Sequence, residues 1–426
     1  MQSPSVSIVV CTRGRPASLG RTLQGLALLR YPHERIIVHD PRDPETISCI
    51  AGFAPFARTG ECASENLAQA RNLGMVMAHG DIVAFIDDDA VPEPDWLDQI
   101  VTAYADPAVT AAGGFIRDGT GVAFQARIVL IDPFGKDFQR ASPPAVLPPG
   151  WMIGLTGTNF SVRRRDALAI GGFDEQYTYF LEETDFLYRL QLAGGRIAVV
   201  PGAEVIHYRE QNRIRSSAGT PLALRSISRS KAYYCHVNRQ QGMPDAAIAM
   251  ALRRFSFRKI RQIAGYFFTA KLSAGALRRL MAELDQGMRE GVAAARSGRR
   301  LLTVPYADAE ADNRCEQPPA RDRLCVFLDG EPEDDPLWRR LQALAATHEV
   351  TILAAVPGWR RNVRFTGGLW VHRLPLAWRI AKGGSARAFQ QELNRIEPRR
   401  SFTHVFASKA FQHIAVRTGF AQFVPL

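Results

Sequence analysis

From residue 5 to about 210, short apolar runs alternate with windows in which leucine and alanine recur every three or four positions. That alternation predicts a mainly parallel sheet covered by helices. Strands are expected over 6–11, 35–39, 82–86, 109–115, 159–162, 197–200 and 203–207, and helices over 18–29, 64–78, 95–105 and 183–192. The stretch from about 220 to 300 reads as wholly helical. Pro305 and Pro318-Pro319 bracket a polar linker. After it a strand over 324–328, a helix over 336–346 and a strand over 349–354 open another α/β unit. The expected division is 1–219, a helical segment 220–302, a linker 303–320 and a partial α/β domain 321–426.

The 426 residues and 46% hydrophobic content suit a globular chain of two or three domains. Six scattered cysteines without a Cys-x-x-Cys pair suggest neither a zinc module nor a disulfide framework, so reduced thiols in a cytosol are expected. The apolar run at 6–11 is too short for a signal peptide, and no window reaches the roughly 18 apolar residues of a membrane span. A cytoplasmic protein, soluble or resting on the inner face of the membrane, is the expectation. The net charge of +11 favours an anionic partner. Much of it lies over 253–300, interleaved with Phe255, Phe257, Ile260, Ile263, Phe267 and Phe268. Two readings stay open there: contact with an anionic membrane through 251–300, or a helix packed on the first unit with a solvated basic face. Nucleic-acid binding is not expected, because no recognised module accompanies the charge.

The chemistry concentrates at strand ends. Val83–Ile86 runs into Asp87, Asp88 and Asp89, which would lie at the C-terminal mouth of a strand, where open α/β sheets bind ligands. Three adjacent carboxylates suit Mg²⁺ or Mn²⁺ carrying a diphosphate, although a solvated acidic turn would look the same. Thr12, Arg15 and Asp40 also sit at strand ends, where Thr12 and Asp40 could equally cap helices. Arg71 and Asn72 come late in a helix, and Arg71 could pair with a carboxylate or a phosphate. Glu182, Glu183 and Asp185 open a helix in greater number than capping requires, and one could serve as general base. His207 ends a strand and could be a third metal ligand. Trp151 and Met152, after a proline-rich stretch, could wall an acceptor pocket or pack in the core.

Together, Thr12 and Arg15, Asp40, Ala70-Arg71-Asn72, Asp87-Asp88-Asp89, Gly171-Gly172-Phe173-Asp174-Glu175, the acidic helix start and His207 resemble the family 2 inverting glycosyltransferases of the GT-A fold, over residues 5 to 210. The resemblance implies a nucleotide-diphosphosugar donor, with a UDP-sugar first among candidates, and a saccharide or glycolipid acceptor. It implies Thr12, Arg15, Asp40, Arg71, Asn72, Asp87 and Asp88 about the donor, and Mn²⁺ or Mg²⁺ on Asp87, Asp89 and His207. Glu183 stands where the family carries its base, with Glu182 and Asp185 as alternatives. The chain departs from the family in reading Cys11-Thr12-Arg13-Gly14-Arg15 for Pro-Thr-x-Asn-Arg, and in having Glu for Asp at the base. The C-terminal segment faintly resembles the N-terminal lobe of a GT-B enzyme. Two competing functions are a sugar nucleotidyltransferase, disfavoured by a single glycine in 11–16, and a non-catalytic membrane-associated scaffold.

Overall fold

A computed structural model describes residues 3–53, 57–211, 214, 216, 219–302, 320–407 and 423–425. The expected linker over 303–320 falls outside this set except for Ala320. The first unit is an α/β fold around a nine-stranded, largely parallel sheet, as expected. Along the sheet the order is Arg58–Glu61, Glu34–His39, Val6–Thr12, Ile82–Asp87, Asn159–Arg163, Val109–Arg117, Arg196–His207 and Ala90–Pro92, with Phe124–Ala126 paired to Val109–Arg117. The first four are parallel, and Asn159–Arg163 is antiparallel to both neighbours.

Near-continuous apolar runs form these strands because both faces are covered. Val6, Ile8 and Val10 face one core with Leu19, Leu23 and Trp96. Val9 faces the other with Met75, Phe160, Phe173 and Phe186. Helix Leu67–Met77 lies so close to the first strand that a Cβ on Gly74 would stand 2.4 Å from Val9 Cγ1. This helix starts later than expected, because Asn66 caps it by accepting from the Gln69 amide. The two strands expected at 197–200 and 203–207 are one strand, Arg196–His207, whose register shifts between Val200 and Val205. That irregularity spans Pro201-Gly202, where the pattern suggested a break.

Beyond the sheet come a small antiparallel sheet of Met152–Gly154, Ile128–Ile131 and Asp137–Arg140, which the sequence did not foretell, and helices Arg225–Val237, Asp245–Phe268 and Ala274–Ser297. No helix among the described residues is long and apolar enough to cross a membrane. The C-terminal unit is a six-stranded sheet in the order Asn362–Thr366, Leu369–Pro375, Glu349–Val356, Arg323–Asp329, His404–Ala407 and Phe423–Pro425, parallel except for its first strand. Its edge packs on the first unit. Val363, Phe365 and Trp370 share a core with Leu28, Val91 and Ile206, and the Phe365 amide donates to Tyr208 Oη at 2.7 Å.

Candidate functional site

The site is built where three strands end. Strand Ile82–Asp87 delivers Asp87, a tight turn carries Asp88 and Asp89, and the chain returns as Ala90–Pro92, paired with Arg196–His207 so that His207 faces Ala90 in register. One ligand atom each from Asp87, Asp89 and His207 lies within 4.8 Å of the others. That is near the roughly 4.2 Å separating opposed ligands on an ion with bonds of about 2.1 Å. Two carboxylates and an imidazole are a donor set suited to Mn²⁺ or Mg²⁺, so the residues present fit a divalent cation.

Each ligand is held from behind. Asp87 accepts from Thr158 Oγ1 at 2.7 Å and lies 3.7 Å from the Arg71 guanidinium. Asp89 meets His207 Nε2 at 3.0 Å and Arg15 at 3.1 Å, and accepts from the Glu210 amide at 3.0 Å. Burial pushes the Asp89 carboxyl up, but His207, Arg15 and that amide outweigh it and hold it below the usual range. His207 Nδ1 contacts Gln125 Oε1 at 3.1 Å, which orients the ring as an outer partner orients a metal-binding imidazole.

Arg71 joins this cluster to the acidic helix start. Buried, it donates to Glu182 Oε1 at 3.0 Å while facing Asp87. Asp87, Glu182 and Glu183 all raise its already high pKa against the effect of burial. Helix Glu182–Leu192 follows two residues in left-handed conformation, Phe180 (φ 74°) and Leu181 (φ 69°). Such geometry is costly for side chains with a Cβ, and here it sets the angle at which the glutamates enter. Burial and the neighbouring Glu182 push the Glu183 carboxyl up to about 8, with Arg71 pulling it back.

The structure separates the remaining expected residues. Asp88 is fully buried, accepts from Thr12 Oγ1 at 2.7 Å and ion-pairs with Arg15; burial pushes its carboxyl up to about 7. Asp88 therefore faces inward, with Thr12 and Arg15 turned onto the acidic loop. Asp40 remains at its strand end, clamped by both arms of Arg42 at 2.9 Å and by Arg13 at 3.2 Å, which hold its carboxyl below the usual range. Asn72 is not in the cleft. Its amide donates to the Phe173 carbonyl and to Glu175 and accepts from the Phe173 amide, pinning the loop at 173–175.

Asp185 is not a base candidate. It is fully buried among Arg189, Arg299, Asn238 and Tyr177, and the arginines overcome burial to keep it ionised. Trp151, its ring tilted against Phe138 with centroids 4.7 Å apart, and Met152 both line an open recess of about 450 Å³ with Tyr188 and Leu192, and Met152 also packs in the core. On helix Glu182–Leu192 its lining runs from Tyr188 to Leu192, about 8–14 Å along the axis from Glu183. Thr158 and Gln125 were missed as supporting residues. Thr158 was visible in Gly157-Thr158-Asn159, whereas Gln125 lies on a three-residue strand with no pattern of its own.

Residues 7–167 match the profile of Glycosyl transferase family 2. The chain is 29% identical over 224 residues to Succinoglycan biosynthesis protein ExoM of Rhizobium meliloti, covering 49% of this chain and 68% of that one. It is 28% identical over 231 residues to Pre-mycofactocin glycosyltransferase of Mycobacterium tuberculosis, covering 52% of this chain and 48% of the relative. Among solved structures, the mannosyltransferase PcManGT from Pyrobaculum calidifontis in complex with GDP-Man and Mn²⁺ superposes with a TM-score of 0.41 at 16% identity, over 70% of this chain and 87% of that one.

Proposed function

Since residues 7–167 form a family 2 glycosyltransferase domain, we propose that the cleft at Asp87, Asp89, His207 and Glu183 transfers a sugar, with inversion, from a nucleotide diphosphate to a hydroxyl group. The observation that carries the reading is Arg71, whose single guanidinium faces Asp87 and Glu182 and so ties the three-ligand cluster to the helix start that holds Glu183. Asp87, Asp89 and His207 would hold Mn²⁺ or Mg²⁺. When bound, the ion supplies positive charge for the departing diphosphate, a contribution of several kcal/mol.

The chain's own groups do the rest. Thr158 and Arg71 fix Asp87, Arg15 and the Glu210 amide fix Asp89, and Gln125 fixes the imidazole. Arg13 and Arg42, arrayed on Asp40, line the approach for the nucleoside, with uridine the first base to test. Glu183 takes the proton of the attacking hydroxyl, which reaches the anomeric carbon from the face opposite the leaving group. The acceptor is a saccharide or glycolipid, and the setting is polysaccharide or glycoconjugate synthesis in the cytoplasm. Contact with the inner face of the membrane would run through the outward Met250, Phe257 and Phe268 and the arginines beside them.

Calorimetry with UDP and UDP-sugars tests this, with and without Mn²⁺. Native protein should bind at least about tenfold more tightly with the ion, and Asp89→Ala should lose that increment. An Asp89→Ala variant that keeps the Mn²⁺-dependent increment would remove the metal assignment.

A further inference from the structure

A second recess, of about 500 Å³, opens between the small antiparallel sheet and helix Asp245–Phe268. Its charged lining is Lys136, Lys231, Arg258, Lys259 and Arg261 against the single carboxylate of Asp137. Elsewhere in the helical segment several arginines find partners, among them Arg225 on Glu290, Arg289 on Asp285, and Arg299 on Asp174 and Asp185. Among the described residues, none of these five cations stands within 4.0 Å of a carboxylate.

Lys231 is the most telling of them. It is 2% exposed; its ammonium donates to the Phe134 carbonyl and stands 5.8 Å over the Phe255 ring, and among the described residues it has no carboxylate within 4.0 Å. A buried cation without a close ion-pair partner is costly, and an arriving counter-charge would relieve that cost. Burial pushes its pKa down, and the same is true of the half-buried Lys259. Arg258 and Arg261, one turn apart on an exposed face, add planar forks suited to phosphate oxygens. Phe180 and Phe255 form the apolar walls.

The recess also has a definite address. Phe180 precedes Glu183 by three residues, so their Cα atoms are no more than about 11 Å apart. We propose that this recess holds the phosphate or diphosphate of an anionic acceptor, so that the sugar attached to it presents its hydroxyl to Glu183. The assignment rests on the transferase reading for the meaning of "acceptor", but the site itself involves none of the metal-binding residues.

Metal-free binding of inorganic pyrophosphate to the full chain in EDTA, followed by calorimetry, tests the site without any transferase turnover. Saturable binding is expected, weakened at least about tenfold in Arg258→Ala/Arg261→Ala and unchanged in Asp89→Ala. Absence of saturable binding, binding undiminished in the double variant, or loss in Asp89→Ala would overturn the proposal. Vesicle flotation then separates the sources of the phosphate. Preference for vesicles carrying a polyprenyl phosphate over phosphatidylglycerol, lost in the double variant, supports a lipid-borne acceptor. Pyrophosphate binding with no vesicle preference and no effect of the double variant on flotation supports a soluble sugar phosphate. Equal flotation with both lipids, lost equally in the double variant, makes the recess a head-group anchor and overturns the acceptor assignment.

Discussion

Glu182 and Glu183 are neighbours with unlike fates. The first is buried on Arg71, whereas the second is half-buried and carries the proton of the pair, held up to about 8 by burial and by Glu182. A base must be ionised to accept a proton, so the transfer rate should rise as pH increases through about 8 and fall off below it. Glu183→Gln should lower turnover by about 10²–10⁴-fold, abolish that limb of the profile and leave nucleotide binding nearly intact. Stopped assays across pH with saturating donor check both, and a variant retaining native turnover would dismiss Glu183. Asp185 belongs to a different class of residue. Asp185→Ala would leave Arg189 buried without a carboxylate and Arg299 with Asp174 alone, at a cost of about 3–5 kcal/mol in urea unfolding. Three carboxylates in one helical turn looked alike in the sequence because the partner that distinguishes them, Arg299, enters from 114 residues away.

Elements were legible where burial alone dictates them. The runs at 6–11 and 82–86 read as strands because both faces of a parallel sheet are apolar, and their C-terminal ends gave the address of Asp87 and Asp89. Arg58–Glu61 and Asp137–Arg140 were not legible. They are four residues each and polar, and they are strands only because a neighbour offers a ladder. Helix Asp245–Phe268 shows why the basic segment stayed ambiguous. Ile248, Phe255 and Ile263 pack inward, as the packed reading requires, while Met250, Phe257 and Phe268 point out on the face that the lipid reading concerns. Phe257→Asp/Phe268→Asp should change stability by no more than about 0.5 kcal/mol per site, because both rings are exposed, yet reduce flotation with anionic vesicles. Undiminished flotation would mean that the outward face does not meet lipid.

At the scale of the molecule, the C-terminal unit grips the first unit on both flanks of the candidate metal ligands. Glu93, four residues beyond Asp89, is joined at 2.6 Å by Arg400, which is itself buried over the Trp370 ring at 4.1 Å. Arg399 reaches Asp95 and Glu204, and Tyr208, next to His207, accepts the Phe365 amide. Burial works against the Glu93 carboxylate, and Arg400 with Arg399 outweighs it, holding that group at about 2. Deleting one member of such a pair costs more than the pair contributes, since the survivor stays buried and charged. Arg400→Ala should therefore lower stability by about 3–5 kcal/mol, and Glu93→Leu on the same background should recover part of the loss. If the second unit braces the turn that presents Asp89, Arg400→Ala should also weaken Mn²⁺-dependent nucleotide binding, although Arg400 is not among the proposed metal ligands. Denaturant titration and calorimetry on the native protein and these two variants separate the two effects: a destabilised Arg400→Ala protein with native Mn²⁺-dependent binding would leave the contact as a fastening alone, and a protein of native stability would show that the two sheets are held together by the Val363, Phe365 and Trp370 core instead.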